Sequence, residues 1–599
     1  MVAMAAAGMV FTAGPGLAHD AVSDGAPDTQ QPADADAQHG GTEGHLPSIN
    51  ENVDVVSKLD LGAGPGGIAD VAVYGDHAYL AAWGGVSCDN TGFYVADIAD
   101  VADPRQVAFV PAPAGSYPGE GMQVTSIRTG SFRGDILVNN NEICGEGGVG
   151  GINLYDVSDP ANPVALAEGA GDVDEGETVA NQTHSVFAWS DGKKAYAASV
   201  DNEEPANLDI LDISDPRNPV LIAEHDLGTL FPEILQPDRG LDEVFLHDLV
   251  VEKIGGRYVM LASYWDAGYV QLDVSDPVNP RYLSDSDFAE LDPEAVENGR
   301  EVPPEGNAHQ AEFTRDNRFV VAADEDFAPY ALVGRNETDG TEVDASQGSG
   351  TPQLEPGQTI SGQAVFGGVA CAAGPAVPAG DGDDIAVVER GVCPFTEKVA
   401  SVETAGGYVA VLVVNREGAD GCNATLAMSV EGGTPAFGVA PREQGYELFG
   451  APFDEAACLA GDGTRAAPIE LGARGDTLAF ESYFDGWGYV HLFDRRSMTE
   501  LDTYAIDEAQ DPAFATGSGD LSVHEVATSQ RDKDLAYLAY YAGGLRVIDI
   551  GSGEIEEVGA FIDEGGSNFW GVETFERKGQ EYVALSDRDF GLYIVKYAP

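Results

Sequence analysis

Short apolar runs alternate along most of the chain with punctuation rich in Gly, Asp-Pro and Asn-Pro. From Leu246 the order reads LHDLVVEK, a turn at Gly255-Gly256, RYVMLASYW, a turn at Ala267-Gly268, YVQLDVSDP and then RYLSD. The runs are β-branched and aromatic, and Pro falls in the connections, where no ladder N–H is required, so each run predicts a short strand. The unit recurs: Leu154 to Glu168 reads LYDVSDPANPVALAE, Leu211 to Glu224 LDISDPRNPVLIAE, Leu272 to Asp285 LDVSDPVNPRYLSD, and Val95 to Val110 a looser VADIADVADPRQVAFV. The repeat aspartates Asp97, Asp156, Asp212 and Asp273 stand 59, 56 and 61 residues apart, and Asp494 and Asp549 stand 55 apart (549 − 494). A period of that length holds four short strands and predicts an all-β chain of radially arranged four-stranded sheets.

Units begin near Ile68, Met122, His184, His247, His309, His524 and Trp570, which predicts seven blades. The last stops after its third strand, GLYIVKY at 591–597, while Val53 to Gly62 (VDVVSKLDLG) is a strand without a blade that is similar to the fourth strand VLIAEHDLG at 220–228. Pairing the two closes the ring and removes both sheet edges.

The repeated Leu/Val-x-Ile/Val-x-Asp-Val/Ile-Ser-Asp-Pro pattern resembles the LVIVD-repeat family of exported β-propellers over most of 53–329 and 479–599. The later units depart from it at Asp494-Arg-Arg-Ser and Asp549-Ile-Gly-Ser-Gly. The resemblance implies the fold and says little about activity. Between Asp273 and Asp494 lie 221 residues (494 − 273), too many for one unit. Within them IAVVERGV at 385–392, Cys393-Pro394-Phe395, a short amphipathic stretch ending at Ala405-Gly406-Gly407, a buried run into Asn415 and TPAFGV at 434–439 resemble a protease-associated (PA) domain. Such domains are non-catalytic lids or recognition modules, and that is the implied role. Placing a small α/β insert at 330–478 in the second-to-third-strand connection of blade five leaves a unit of near-normal length. The expected organisation is a signal-like segment at 1–18, a disordered acidic linker at 19–50, blades one to five at 51–329, the insert at 330–478, and the end of blade five through blade seven at 479–599.

Met1 to Ala18 (MVAMAAAGMVFTAGPGLA) resembles a secretory signal with a cleavage site, although no Lys or Arg precedes the apolar run. It is too short and too interrupted to span a membrane, and no other run approaches spanning length, so a soluble, exported, monomeric protein is expected. Residues 20–50 are nearly free of large apolar side chains and read as a solvated tail; His39 and His45 sit in it among acidic neighbours. The chain carries 101 acidic against 30 basic residues, a formal charge of −71, spread through every blade. Coulomb repulsion makes nucleic acid a poor partner, and a dispersed acidic surface suits high external salt. Six cysteines in an exported chain point to disulfides. Cys88 and Cys144 occupy the same connection in consecutive blades and should bond; Cys371, Cys393, Cys422 and Cys458 form two bridges of open connectivity.

The candidate chemistry lies at the mouth of the channel. His184, His247, His309 and His524 share one register at the start of the innermost strand of four blades, so their side chains are placed to converge on the axis. Asp248, Gln310, Glu525 and Trp570 stand beside them, and the connections after the second strands add Glu142, Asp201, Asp266, Asp324, Glu325, Asp326, Asp587 and Asp589. Imidazoles ringed by carboxylates suit a divalent transition metal better than calcium, with Asp248, Glu525, Asp324 and Asp326 as further ligands or as acceptors that fix the tautomer. The competing reading is that repeated units keep similar residues at similar places, each histidine bonding a neighbouring backbone. Trp265, Asp266, Trp487 and Trp570 are candidates for binding a peptide, glycan or cell-surface partner. Asp587-Arg-Asp589 matches half of a calcium loop but lacks its later Glu. Gly-x-Ser-x-Gly, His-Glu-x-x-His and Gly-Lys-Ser/Thr are absent, which argues against the commonest hydrolase and nucleotide-binding classes. Two functions remain: an exported binding or scaffold protein, and a metal-dependent hydrolase or oxidase with the insert as lid.

Overall fold

The structure is a computed structural model. It describes residues 45–599 apart from 84–87, 89, 146, 174–177, 202–205, 237–244, 266, 290, 292–295, 297–305, 328, 344, 349–350, 419–421, 423–425, 427, 429, 431, 440, 460 and 462–466. The signal-like segment, the tail with His39, and Asp266 therefore lie outside the described residues.

The repeat earns its conservation of pattern within this chain through hydrogen bonds at one end of each blade. The carboxylates of Asp156, Asp212 and Asp273 each accept the backbone N–H two residues on, at 3.0 Å, and those of Asp97, Asp494 and Asp549 do the same at 2.8–3.1 Å. Ser158, Ser214 and Ser275 tie the turn to the second strand by accepting the N–H groups of Asp135, Ala195 and Tyr258 at 3.0–3.1 Å. Within each Asp-Pro-x-Asn turn the Asn N–H donates back to the Asp carbonyl, as from Asn218 to Asp215 at 2.8 Å. Ser-Asp-Pro is thus a side-chain-closed turn between third and fourth strands.

Seven blades follow. In blade three Val186–Ser190, Ala195–Val200, Leu208–Asp212 and Val220–His225 pair antiparallel in sequence order, and blade four (Leu246–Ile254, Arg257–Tyr264, Gly268–Asp273, Arg281–Asp285) repeats the arrangement. The innermost strands touch in cyclic order from blade one, Ile68–Tyr74, round to blade seven, Phe569–Arg577, and back. Val53–Asp60 pairs antiparallel with Gly591–Tyr597 and supplies the outer strand of blade seven, as the orphan strand predicts. Ile49–Glu51, at the end of the expected linker, adds a fifth strand to blade six by pairing with Glu556–Ile562.

Both faces of a blade are buried, and the period of two divides its residues between neighbours. Val583, Leu585 and Val595 of blade seven pack against Tyr537 and Ala539 of blade six, whereas Ala584, Leu592 and Ile594 pack against Leu80 and Tyr94 of blade one. This is why the strands read as continuous apolar runs.

Blade five pairs Ala308–Phe313, Phe319–Asp324, Val490–Asp494 and Thr499–Tyr504, so the insertion falls between its second and third strands. Tyr330–Tyr483 forms a separate compact unit. Its core strands Thr359–Gly368, Asp384–Glu389, Tyr408–Val414 and Ala436–Val439 run parallel, and the helix Phe395–Ala405 buries Phe395, Val399 and Val402 against Val411 and Val413. Gly406 ends that helix at φ 70°, where a side chain would be strained. Cys88 bonds Cys144 with their Cα atoms 5.5 Å apart, and the open pairing in the insert resolves as Cys371–Cys393 and Cys422–Cys458. Among the described residues no helix is long and apolar enough to cross a membrane.

Candidate metal centre

The four histidines lie at the ends of first strands, opposite the Ser-Asp-Pro turns. The strand register shifts between Leu246 and Asp248 and between Ala308 and Gln310, so His247 and His309 each occupy a β-bulge. A bulge breaks the in-out alternation and re-aims one side chain. The same shift at Phe569–Val572 re-aims Trp570. His184 and His524 are fixed by their own N–H groups, which donate to Val200 O and Ala539 O at 3.0 and 2.9 Å.

The imidazoles stand in a row, with ring centroids 4.4 Å apart from His184 to His247, 4.1 Å from His247 to His309, and 4.5 Å from His309 to His524. His184 is 5% exposed and the other three are 0% exposed. Three buried carboxylates join them: Glu120, Glu142 and Glu325. His184 Nδ1 lies 2.7 Å from Glu142 Oε1, and the second Glu142 oxygen accepts the Tyr117 hydroxyl. His309 Nδ1 lies 2.8 Å from the carbonyl oxygen of His524. Both acceptors fix the proton on Nδ1 and leave the Nε2 lone pair facing inward. There His184 Nε2 meets His247 Nε2 at 2.9 Å, and Glu325 Oε2 lies 3.1 Å from His309 Nε2 while its Oε1 accepts the Tyr541 hydroxyl at 2.5 Å.

Glu120 lies at the middle of the row. Its Oε1 is 2.9 Å from His524 Nε2 and 3.5 Å from His309 Nε2; its Oε2 is 3.6 Å from His184 Nε2 and 3.8 Å from His247 Nδ1. It arrives on the loop Gly119-Glu120-Gly121, pinned by Gly119 N–H donating to Asn140 Oδ1 at 2.9 Å and Met122 N–H to Asp70 Oδ2 at 2.6 Å. Gly121 has φ 69°, and a Cβ there would stand 2.4 Å from Val186 N, so no other residue lets the loop pass that close. Sequence reading missed Glu120; the available signal was a carboxylate between two glycines just before the blade-two strand.

Of the residues expected beside the histidines, Asp248 accepts the Ser185 hydroxyl at 2.5 Å and feels the fields of His309 and His184; burial raises its pKa. Glu525 accepts Val572 N–H at 2.7 Å and is held well above the usual carboxylate range by burial and by Asp70, which burial pushes to about 6. Trp265 stands 5.2 Å from His247, and Trp570 4.3 Å from His524. Trp570 also meets Trp83 at 5.3 Å, with the Arg588 guanidinium 5.2 Å from both rings. Trp487 packs in the core between blades five and six. Asp324 and Asp326 face a different place, a cavity of about 80 Å³ lined also by Tyr269, Phe288, Asp485 and Phe493. There His491 bridges Asp324 Oδ2 at 2.6 Å and Glu500 Oε1 at 2.7 Å. Burial alone would lower the His491 pKa, but the two carboxylates outweigh it and hold the ring cationic, well above the ordinary histidine value. Adjacent residues on a strand end point to opposite sides, so Glu325 reaches the row and Asp324 does not.

Imidazole nitrogens and carboxylate oxygens are the donors of a divalent first-row ion. Three overlapping groups have all their donor atoms within 4.8 Å of one another: Glu120, His184 and His247; Glu120, His309 and His524; and His247, His309 and Glu325. The residues present fit a metal.

The fold and the row of histidines define a ring-closed propeller with a buried cluster of histidines and glutamates whose donor atoms fit a metal. The LVIVD repeat matches residues 65–107 and 189–226, and the PA domain matches 360–448; the chain is a seven-bladed β-propeller that contains LVIVD repeats and carries a PA domain. No curated protein matches the chain. Among solved structures, a zinc aminopeptidase from Bacillus subtilis, BSAP, is 14% identical over 29% of this chain and 35% of its own, with a TM-score of 0.19. An aminopeptidase from Aneurinibacillus sp. strain AM-1 is 18% identical over 28% and 34%, with a TM-score of 0.16. Saccharomyces cerevisiae Sqt1 is 8% identical over 93% and 99%, with a TM-score of 0.32. The chain thus spans about a third of the two aminopeptidases, and the fold assignment rests on its own strand pairing.

Proposed function

We propose that this is an exported, salt-adapted binding protein built round a metal centre. His184, His247, His309 and His524 hold a divalent transition metal with Glu120 and Glu325, and the PA unit recognises a protein, peptide or glycan. The observation that carries the reading is the inward convergence of His184 Nε2 and His247 Nε2 at 2.9 Å beside Glu120, all buried. Buried polar groups in such contact need a shared proton or a cation, and one divalent ion serves several donors at once. Glu142 and the His524 carbonyl, which fix two tautomers from outside, are the supports a ligating imidazole needs.

The alternative, a metal-dependent hydrolase or oxidase, requires an open coordination position. Rings at most 5% exposed favour a closed centre, with recognition carried by the insert and the propeller face. Export is supported by the signal-like N-terminal sequence and by three disulfides among the described residues.

Elemental analysis of protein purified without chelators tests the reading. We expect stoichiometric copper, zinc, iron, nickel or manganese, released as acidification through the ordinary histidine pKa of about 6.5 protonates the ligands. Protein that is metal-free and takes up none of these ions on addition overturns it.

A further inference from the structure

We infer that the axial centre is built for two ions bridged by the carboxylate of Glu120. The inference rests on the metal reading above and goes beyond it in number, bridge and ion class. Glu120 does not approach the row of imidazoles with one oxygen. Its Oε2 serves the His184 and His247 side at 3.6 and 3.8 Å, and its Oε1 serves the His309 and His524 side at 3.5 and 2.9 Å. The donors therefore divide into two triads that share a single residue.

Within a triad the spacing suits one ion. Donors bound at about 2.0–2.2 Å stand roughly 3–3.6 Å apart round a tetrahedral or square arrangement. The His184 and His247 Nε2 atoms at 2.9 Å, the Glu120 Oε2 and His184 Nε2 atoms at 3.6 Å, and Glu120 Oε1 with the His524 and His309 Nε2 atoms at 2.9 and 3.5 Å are at or close to that edge length, whereas His247 faces Glu120 through its other nitrogen, Nδ1. Along the row the ring centroids step by 4.4, 4.1 and 4.5 Å, and none of the three groups holds both His184 and His524, so the four imidazoles are not gathered round one point. Two ions about 3.5–4 Å apart under a bridging carboxylate use both ends.

Each half also has its own flanking carboxylate. Glu142 holds His184 from outside, and Glu325 lies 3.1 Å from His309 Nε2 and 4.0 Å from His524 Nε2. Every cysteine is disulfide-bonded, so no thiolate selects a soft ion. The donor set fits zinc, manganese, iron, nickel or copper(II) in an N,O environment. The third triad, His247, His309 and Glu325, marks where a single central ion would sit and supplies the competing arrangement.

The test is titration of the metal-free full-length protein with Mn²⁺ and, separately, Cu²⁺, reading bound ions by elemental analysis and electronic coupling by electron paramagnetic resonance. The two-ion centre gives two ions per chain and the spectrum of an exchange-coupled pair. One ion per chain, or two without coupling, overturns the inference and leaves the metal reading standing; no bound ion overturns both. Glu120→Ala should halve the stoichiometry or abolish the coupling. Because that variant also loosens the blade-two loop, His184→Ala and His309→Ala provide a second readout. Under the two-ion arrangement each keeps about one ion. Under the central arrangement His184→Ala keeps the full complement and His309→Ala loses it.

Discussion

The two ends of each blade use the same kinds of side chain to opposite effect. At one end the aspartates of the repeat are half-exposed and spend their oxygens on backbone N–H groups two residues away, so each turn is complete in itself. At the other end the carboxylates are buried, meet imidazoles from different blades, and complete nothing without their neighbours. The first end is periodic because every blade needs the same turn. The second differs from blade to blade, with histidine in four blades, Trp570 in blade seven and the Glu120 loop before blade two, because its residues answer to one shared centre. Periodicity within a repeat protein therefore marks what each unit needs for itself, and departure from it marks what the ring does together.

The sharpest way to break the comparison is to open the ring, which should abolish both ends at once. Deleting residues 1–63 removes Val53–Asp60 and leaves Gly591–Tyr597 as an unpaired edge, whereas deleting 1–44 keeps that pairing and Ile49–Glu51 as well. The longer deletion should aggregate or lose its cooperative thermal transition while the shorter melts like the full chain; matching melts would show that the closing strand is dispensable. A smaller effect, read by pH, comes from within the first strand of blade seven, between the two ends. Burial and Asp70 push Glu573 up to about 8, so the folded protein holds a proton that the unfolded chain gives up near its ordinary pKa of 4.5. Stability conferred by the neutral acid is full below about pH 4.5 and declines as pH rises through 8, and Glu573→Gln should flatten that decline by on the order of 2 kcal/mol in urea unfolding of metal-free protein between pH 5 and 8. An unchanged slope would place the titration elsewhere. The smallest effect belongs to the periodic end. Asp156→Ala removes one turn-closing hydrogen bond and should cost about 1 kcal/mol with bound metal unchanged. Metal loss in that variant would erase the distinction between the ends.

The architecture was legible because it is periodic: the Asp-Pro turns gave the blades, the orphan strand at Val53 gave the closure, and the interruption after Asp273 gave the insert. That the four histidines stand side by side was legible because they share a register at the start of the first strand, although three of the seven blades carry no histidine there. Glu120 was not, because it sits on a glycine-flanked loop with no counterpart in other blades, and its place depends on contacts with Asn140 and Asp70 from elsewhere in sequence. Choosing among Asp324, Glu325 and Asp326 needed the strand-end alternation that only the fold supplies. The same holds for His491, whose partners Asp324 and Glu500 come from two other strands of blade five. Cysteine spacing within the insert permitted three pairings and could not select one.

The way the insert leaves and rejoins blade five bears on how the chain folds. Phe319–Asp324 must find Val490–Asp494 across the whole of Tyr330–Tyr483. A flexible loop of that length would set against the pairing a closure entropy of about 4 kcal/mol. The insert's first and last strands, Tyr330–Asn336 and Arg474–Phe484, are neighbours in its own sheet, and Asp485 N–H donates to Pro329 O at 3.2 Å. Once the insert has formed, blade five therefore meets a short hairpin in place of a long tether. The order of events that this favours during synthesis is insert first, then the third strand of blade five, with the ring sealed last by a segment that precedes every blade in the chain.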